Sequence, residues 1–200
     1  MQYRSLTRQT APTVEPVTLA EAKAHLRVDT ATDDSYIATL ITAAREWVEE
    51  YLDRALVHQQ YVMRLDSFPY EFELPRPPMA TSGTATAVVV TYTLGDDSTA
   101  TLSSTQYRVD RNATPGVVRQ LRAGTWPGNL DDQNAVTVTW WAGYGASGTS
   151  VPAAIRHAIL MLVGHWYDGS RSGVVMGSIS KEVEFGVKSL LDSQRWGSYR

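Results

Sequence analysis

Two stretches of this chain place apolar residues at helical spacing, and between them the spacing shortens to two. Ile37, Leu40, Ile41, Ala44, Trp47, Val48, Tyr51 and Leu52 recur at three- and four-residue intervals, which predicts an apolar stripe on a helix about 30 Å long. Ile155, Ala158, Ile159, Leu162, Val163 and Trp166 fall at i, i+3, i+4, i+7, i+8 and i+11. Burying one large member of such a stripe contributes roughly 1.5–3 kcal/mol. Residues 34–53 and 152–167 are therefore expected to form helices that pack on each other. Their predicted core is Ile37, Leu40, Ile41, Trp47, Val48, Ile155, Ile159, Leu162 and Trp166, with Arg45, Glu46, Glu49 and Glu50 on the wet face. Upstream, Thr18 and Glu21 have the spacing of a capping box, which predicts a short helix over 19–27. The acidic loop 29–34 suits the positive end of the next helix.

From Val57 the period is that of a strand, with Tyr61, Met63 and Leu65 on one face and His58, Gln60, Val62 and Arg64 on the other. Pro69, Pro75, Pro77 and Pro78 then confine the 71–74 segment to a sheet edge or an extended crossing. Further strands are predicted at 86–94, 100–102, 106–110, 117–121 and 135–141, separated by turn signals such as Pro115-Gly116 and Pro127-Gly128. The pattern predicts an α+β fold: a helical frame of two N-terminal helices and one C-terminal helix, with an inserted antiparallel β sandwich or barrel. The expected divisions are an extended arm over 1–17, frame helices over 18–56, a β module over 57–149, the C-terminal frame helix over 150–168, and a flexible C-terminal arm over 169–200.

Composition narrows the function. With 43% hydrophobic and 20% charged residues, 200 residues can bury a core. A net charge of −3 without basic runs argues against a dedicated nucleic-acid binder. The chain has no cysteine, which removes disulfides and thiolate metal sites and suits a reducing compartment. No segment approaches the ~20 apolar residues of a membrane span, and no export signal is readable, so a soluble protein is expected.

Candidate chemistry is sparse. Gly143-Tyr144-Gly145-Ala146-Ser147-Gly148 fits G-x-G-x-x-G, but the following helix opens beyond the glycines, near Ser150 and Pro152, and leads to no second parallel strand. A flexible turn is the plainer reading. His157 and His165 are eight apart, not the four of helical zinc pairs, and His25 and His58 have no sequence partner. The pairs Asp33-Asp34, Asp96-Asp97 and Asp131-Asp132 could serve as acid and base or hold a cation. All three fall at turns or a helix start, where aspartate is expected for local reasons. Trp140-Trp141 suggests a sugar-stacking platform, yet alternation sends the two rings to opposite faces. No catalytic, metal or cofactor-binding residue is predicted. A carbohydrate-binding or adhesin-like β module, and a small hydrolase using an Asp pair, stand as alternatives to a protein that works through contacts.

Several segments resemble the head-tail connector, or adaptor, proteins of long-tailed bacteriophages and gene transfer agents. They are Pro16 to Arg27, Asp33-Asp34 through Ala43-Ala44-Arg45 to Leu56, the Val138 to Tyr144 strand, Val151-Pro152 through Tyr167, and Gly186 to Leu191. The resemblance implies a structural subunit without catalytic residues or cofactors. It implies a homo-oligomeric ring, usually of twelve copies, beneath the portal protein at the neck of a particle assembled in the host cytoplasm. Such a ring extends a channel through which DNA passes without sequence-specific binding, and it presents a surface to a tail-side stopper or head-closure protein. An acidic chain without basic runs suits a channel in which DNA must slide.

The tail differs from the body. Residues 169–200 hold five Lys or Arg against three Asp or Glu, a net of +2, beside −5 for the rest. Phe185, Val187, Leu190, Leu191, Arg195 and Trp196 are predicted to form a portal-docking arm ordered by its partner. Folding of this segment back onto the helical frame is the alternative.

Overall fold

The computed structural model describes residues 3–81, 87–170 and 181–195. The chain divides into two compact units, one of residues 1–13 and 58–145 and the other of residues 14–57 and 146–200.

The first unit is built of antiparallel strands. β1 (Ser5–Thr10), β2 (Gln59–Leu65), β8 (Val136–Ala142), β4 (Val89–Thr93) and β5 (Thr99–Thr101) form one sheet in that spatial order. β3 (Glu71–Leu74), β7 (Gly116–Gln120) and β6 (Tyr107–Asp110) form a second. The alternation read from the sequence sets the faces: Gln59, Tyr61, Met63 and Leu65 are buried on β2, and Val136, Val138, Trp140 and Ala142 are buried on β8. β2 and β8 pair in register over seven residues, Gln59 opposite Ala142 through Leu65 opposite Val136. On the second sheet Phe72, Leu74 and Val118 face inward. The proline-flanked β3 lies at an edge, one of the two places expected for it.

Within the stretch expected as an extended arm, Ser5–Thr10 is a paired edge strand against β2. Its sequence, Ser-Leu-Thr-Arg-Gln-Thr, has one large apolar residue, so the ladder rather than hydrophobic alternation holds it. Of the strand predicted over 86–94, residue 86 lies outside the described residues.

The second unit holds the helices. α1 (Leu19–Leu26) opens on the predicted capping box, with the Thr18 side chain accepting from the Glu21 N–H and the Glu21 carboxylate accepting from the Thr18 N–H. α2 (Asp34–Leu52) and α3 (Ala153–Ser170) pack on each other. Ile37, Leu40, Ile41, Val48, Ile155, Ile159 and Leu162 are all buried. Trp47 and Trp166, expected in that core, are only half-buried; Trp47 instead stacks on Tyr51 at 5.3 Å between ring centroids. The predicted wet face is also half wrong. Glu46 and Glu50 are exposed, whereas Arg45 and Glu49 are 3% and 5% exposed and neutralise one another.

The C-terminal arm is corrected as well. Residues 181–192 form α4 (Lys181–Asp192), which packs on α3 with Val187 and Leu191 fully buried. An i, i+4 apolar pair on a short helix has found cover within its own unit, as in the fold-back alternative. Leu190 is half-buried and Arg195 is exposed over the Tyr51 ring. The side chain of Phe185, residues 171–180 and Trp196 lie outside the described residues.

Candidate functional site

In the helical unit a buried ionic network fastens the segment before α1 onto α2. Arg45 Nε donates to Glu15 at 2.8 Å and Arg45 Nη1 to Glu49 at 2.9 Å. Glu15 uses its other oxygen to accept from Thr42 Oγ1 at 2.9 Å, and Glu49 its other oxygen to accept from the Leu56 N–H at 3.0 Å. Burial works against the Arg45 charge, but the Glu49 and Glu15 carboxylates outweigh it and hold the guanidinium above its ordinary pKa. From α3, Arg156 donates to the Pro16 carbonyl at 2.9 Å and pairs with Glu21. Accepting from Thr18 first, and the Arg156 pair after it, keep the Glu21 carboxyl below its usual range. Residues 15–21 are thus held from both α2 and α3.

The other end of α2 meets the C-terminal segment. Tyr51 donates to Asp192 at 2.6 Å and Arg54 to the Gln194 carbonyl at 2.7 Å, with the Arg195 guanidinium 5.3 Å from the Tyr51 ring centroid.

In the β unit the register of the three-stranded sheet assembles charge. Glu71, Arg119 and Arg108 lie side by side across β3, β7 and β6. Arg119 pairs with Glu71 at 2.5 Å. Arg111 and Arg122, just past the ends of β6 and β7, join them around one open groove that Tyr70, Asn112 and Gln120 also line. No run of Lys and Arg marks this patch in the sequence; only strand register brings these four arginines together.

The residues singled out for chemistry are occupied structurally. Asp33 accepts from Tyr167 at 2.6 Å and Asp34 pairs with Lys23 at 2.6 Å. Asp96 accepts from Ser98 in the β4–β5 turn, which keeps its carboxyl below the ordinary range. Asp131 accepts from the Asp132 N–H at 2.7 Å. His25 and His157 are exposed, and burial pushes the His58 pKa down. Among the described residues no cluster of three His, Asp or Glu can hold a metal ion. Trp140 is fully buried and stacks on Tyr61 at 5.9 Å, so the tryptophan pair is no sugar platform.

The glycine run closes a backbone junction. Gly143, at φ 127°, donates to Pro78, and the Gly145 carbonyl accepts from the His58 N–H. A Cβ on Gly148 would collide with the Glu15 carbonyl oxygen. No described helix is long and apolar enough to cross a membrane.

Comparison with known proteins bears directly on this arrangement. Residues 16–76, which begin just after Glu15 and include α1, α2, β2 and β3, match the family model described as phage gp6-like head-tail connector protein. Over this stretch the chain is similar to head-tail connector sequences. The fold of the whole chain is similar to three chains from gene transfer agent particles. A chain of the neck of an empty particle, computed with C6 symmetry, has a TM-score of 0.75 at 19% identity over 96% of this chain and 95% of that one. A chain of the native virion gives 0.74 at 20% identity over 95% and 94%. One from the native neck computed with C12 symmetry gives 0.69 at 20% identity over 96% and 94%. No curated protein sequence matches this connector-like chain.

Proposed function

We propose that this chain is a structural head-tail connector subunit. Copies of it form a ring beneath the portal of a phage or gene transfer agent particle, extend the DNA channel and join head to tail. The observation that carries this reading is the connector match over 16–76, which falls on the helices that the Arg45 and Arg156 networks hold together. The agreement in fold with neck chains over nearly the whole length supports it. A closed ring needs two unlike faces on each subunit, and twelve copies is the number we assign, with the portal on one side and a stopper or head-closure protein on the other. The role is one of contacts, with no turnover reaction. Among the described residues of the predicted arm, Leu190 on α4 and Arg195 just beyond it are left available to a portal, since Val187 and Leu191 are buried.

Native mass spectrometry and electron microscopy of the purified protein, alone and with a portal ring, test the proposal. The expected result is a closed ring of this chain seated coaxially on the portal. A protein that stays monomeric in both samples and leaves the portal bare would overturn it.

A further inference from the structure

We infer that the arginine groove on the three-stranded sheet of the β unit binds the phosphate backbone of duplex DNA, with Arg108 and Arg122 as its free cations. In a chain of net charge −3, four of the 18 Lys and Arg residues line this one groove. The two carboxylates that also line it are committed. Glu71 is paired with Arg119, and Asp110 accepts from the Asn112 and Ala113 N–H groups at 2.9 and 3.2 Å. Arg108 and Arg122 make no ion pair among the described residues.

The register adds a second observation. Arg108 stands directly opposite Arg119 on the neighbouring strand. Like charges in that position repel; Glu71 offsets the Arg119 charge from one side, and an anion lying across the two strands does the same for Arg108. The neutral polar liners, Tyr70, Asn112 and Gln120, are among the types that contact phosphates. The groove is open and, Tyr70 apart, its liners are charged, polar, small or aliphatic, so it offers cations and hydrogen-bond donors along a surface and no enclosed socket for the anchoring side chain of an acidic peptide. Contacts of this kind are sequence-independent and salt-sensitive, and they let a protein slide along DNA. The choice of DNA as the polyanion rests on the connector reading, whereas the anionic character of the ligand rests on the groove.

The test is fluorescence anisotropy of a short labelled duplex with the full-length protein over a salt series. It compares the wild type with Arg108→Gln/Arg122→Gln, with Arg108→Lys/Arg122→Lys, and with Arg27→Gln/Arg64→Gln, which removes the same charge from two exposed positions elsewhere. The wild type should bind at about 50 mM salt and weaken as salt rises. In the groove glutamine variant the slope of log K against log salt should fall by about 1 for each arginine removed, while the lysine variant and the distant control keep the wild-type slope. Absence of wild-type binding at low salt overturns the inference, as does an equal loss in the distant control or in the lysine variant. Groove-dependent capture of polyglutamate without capture of the duplex also overturns it, in favour of an acidic protein partner. Ring formation is scored on the same samples. Rings without DNA binding remove the groove inference alone, and DNA binding without rings removes the connector reading.

Discussion

Arg45 donates through Nε to Glu15, thirty residues earlier in the chain, at 2.8 Å, and its side chain is only 4% exposed. Removing one member of a buried ion pair leaves the other charge without compensation, which costs about 3–5 kcal/mol. Arg45→Ala is expected to destabilise the protein by that amount in urea unfolding. Glu15→Gln should cost less, because Glu15 is the more exposed partner and Glu49 still neutralises Arg45. Equal, small effects from both substitutions would show that the network does not hold the segment before α1.

Leu162 on α3 and Leu191 on α4 are both fully buried in the helical unit. Each is expected to lose about 2–5 kcal/mol on replacement by alanine. Leu191 is the decisive one. If it served only to dock on a partner, Leu191→Ala would leave the thermal midpoint of the isolated protein unchanged.

The capping box at the start of α1 makes a pH-dependent contribution. The Glu21 carboxyl has a lowered folded-state pKa, so its stabilisation is present above the ordinary glutamate value of about 4.3 and is lost as pH falls through the lower folded value. Glu21→Gln should therefore flatten the acid limb of stability against pH and leave its shape above pH ~6 unchanged. Thr18→Ala should cost about 0.5–2 kcal/mol at neutral pH. Urea midpoints collected from neutral to acid pH check both, and an acid limb as steep in Glu21→Gln as in the wild type would refute the assignment.

Gly148 matches the last glycine of a dinucleotide fingerprint in the sequence, but in the structure it lets the backbone at Glu15 come close. Gly148→Ala is expected to lower stability by more than about 1 kcal/mol through overpacking against main chain. Calorimetry with and without added dinucleotide checks this: a variant as stable as the wild type, or a wild type stabilised by the nucleotide, would reverse the reading.

The α2 and α3 stripes were legible because their positions repeat over several turns, and the Thr18–Glu21 box because its chemistry is local. Arg45 and Glu49 were misplaced on the wet face because what buries them includes Glu15, a single residue in a polar, proline-flanked stretch that no periodicity marks. Trp47 and Trp166 obey the helical period yet lie at the margins of their stripes, where size does not decide burial. β1 went unread as a paired strand because a polar edge strand needs only its backbone ladder. The arginine groove was invisible for a related reason: Arg108 and Arg119 are eleven residues apart in sequence, and the β6–β7 register makes them neighbours. The C-terminal amphipathic pattern was seen correctly, but a pattern states that a face will be covered and not by what.

The order of strands in the larger sheet bears on how the protein is made. β8 is the last of its five strands to leave the ribosome and sits in the middle, between β2 and β4. Until residue 142 has been synthesised, the sheet exists only as two separate pairs, β1 with β2 and β4 with β5. Two-stranded pieces are marginal in water, and both present unpaired inner edges to their surroundings. The nascent chain thus carries open edges until the central strand arrives, and a copy truncated before β8 has the exposed ladder that recruits chaperones or other unfinished copies.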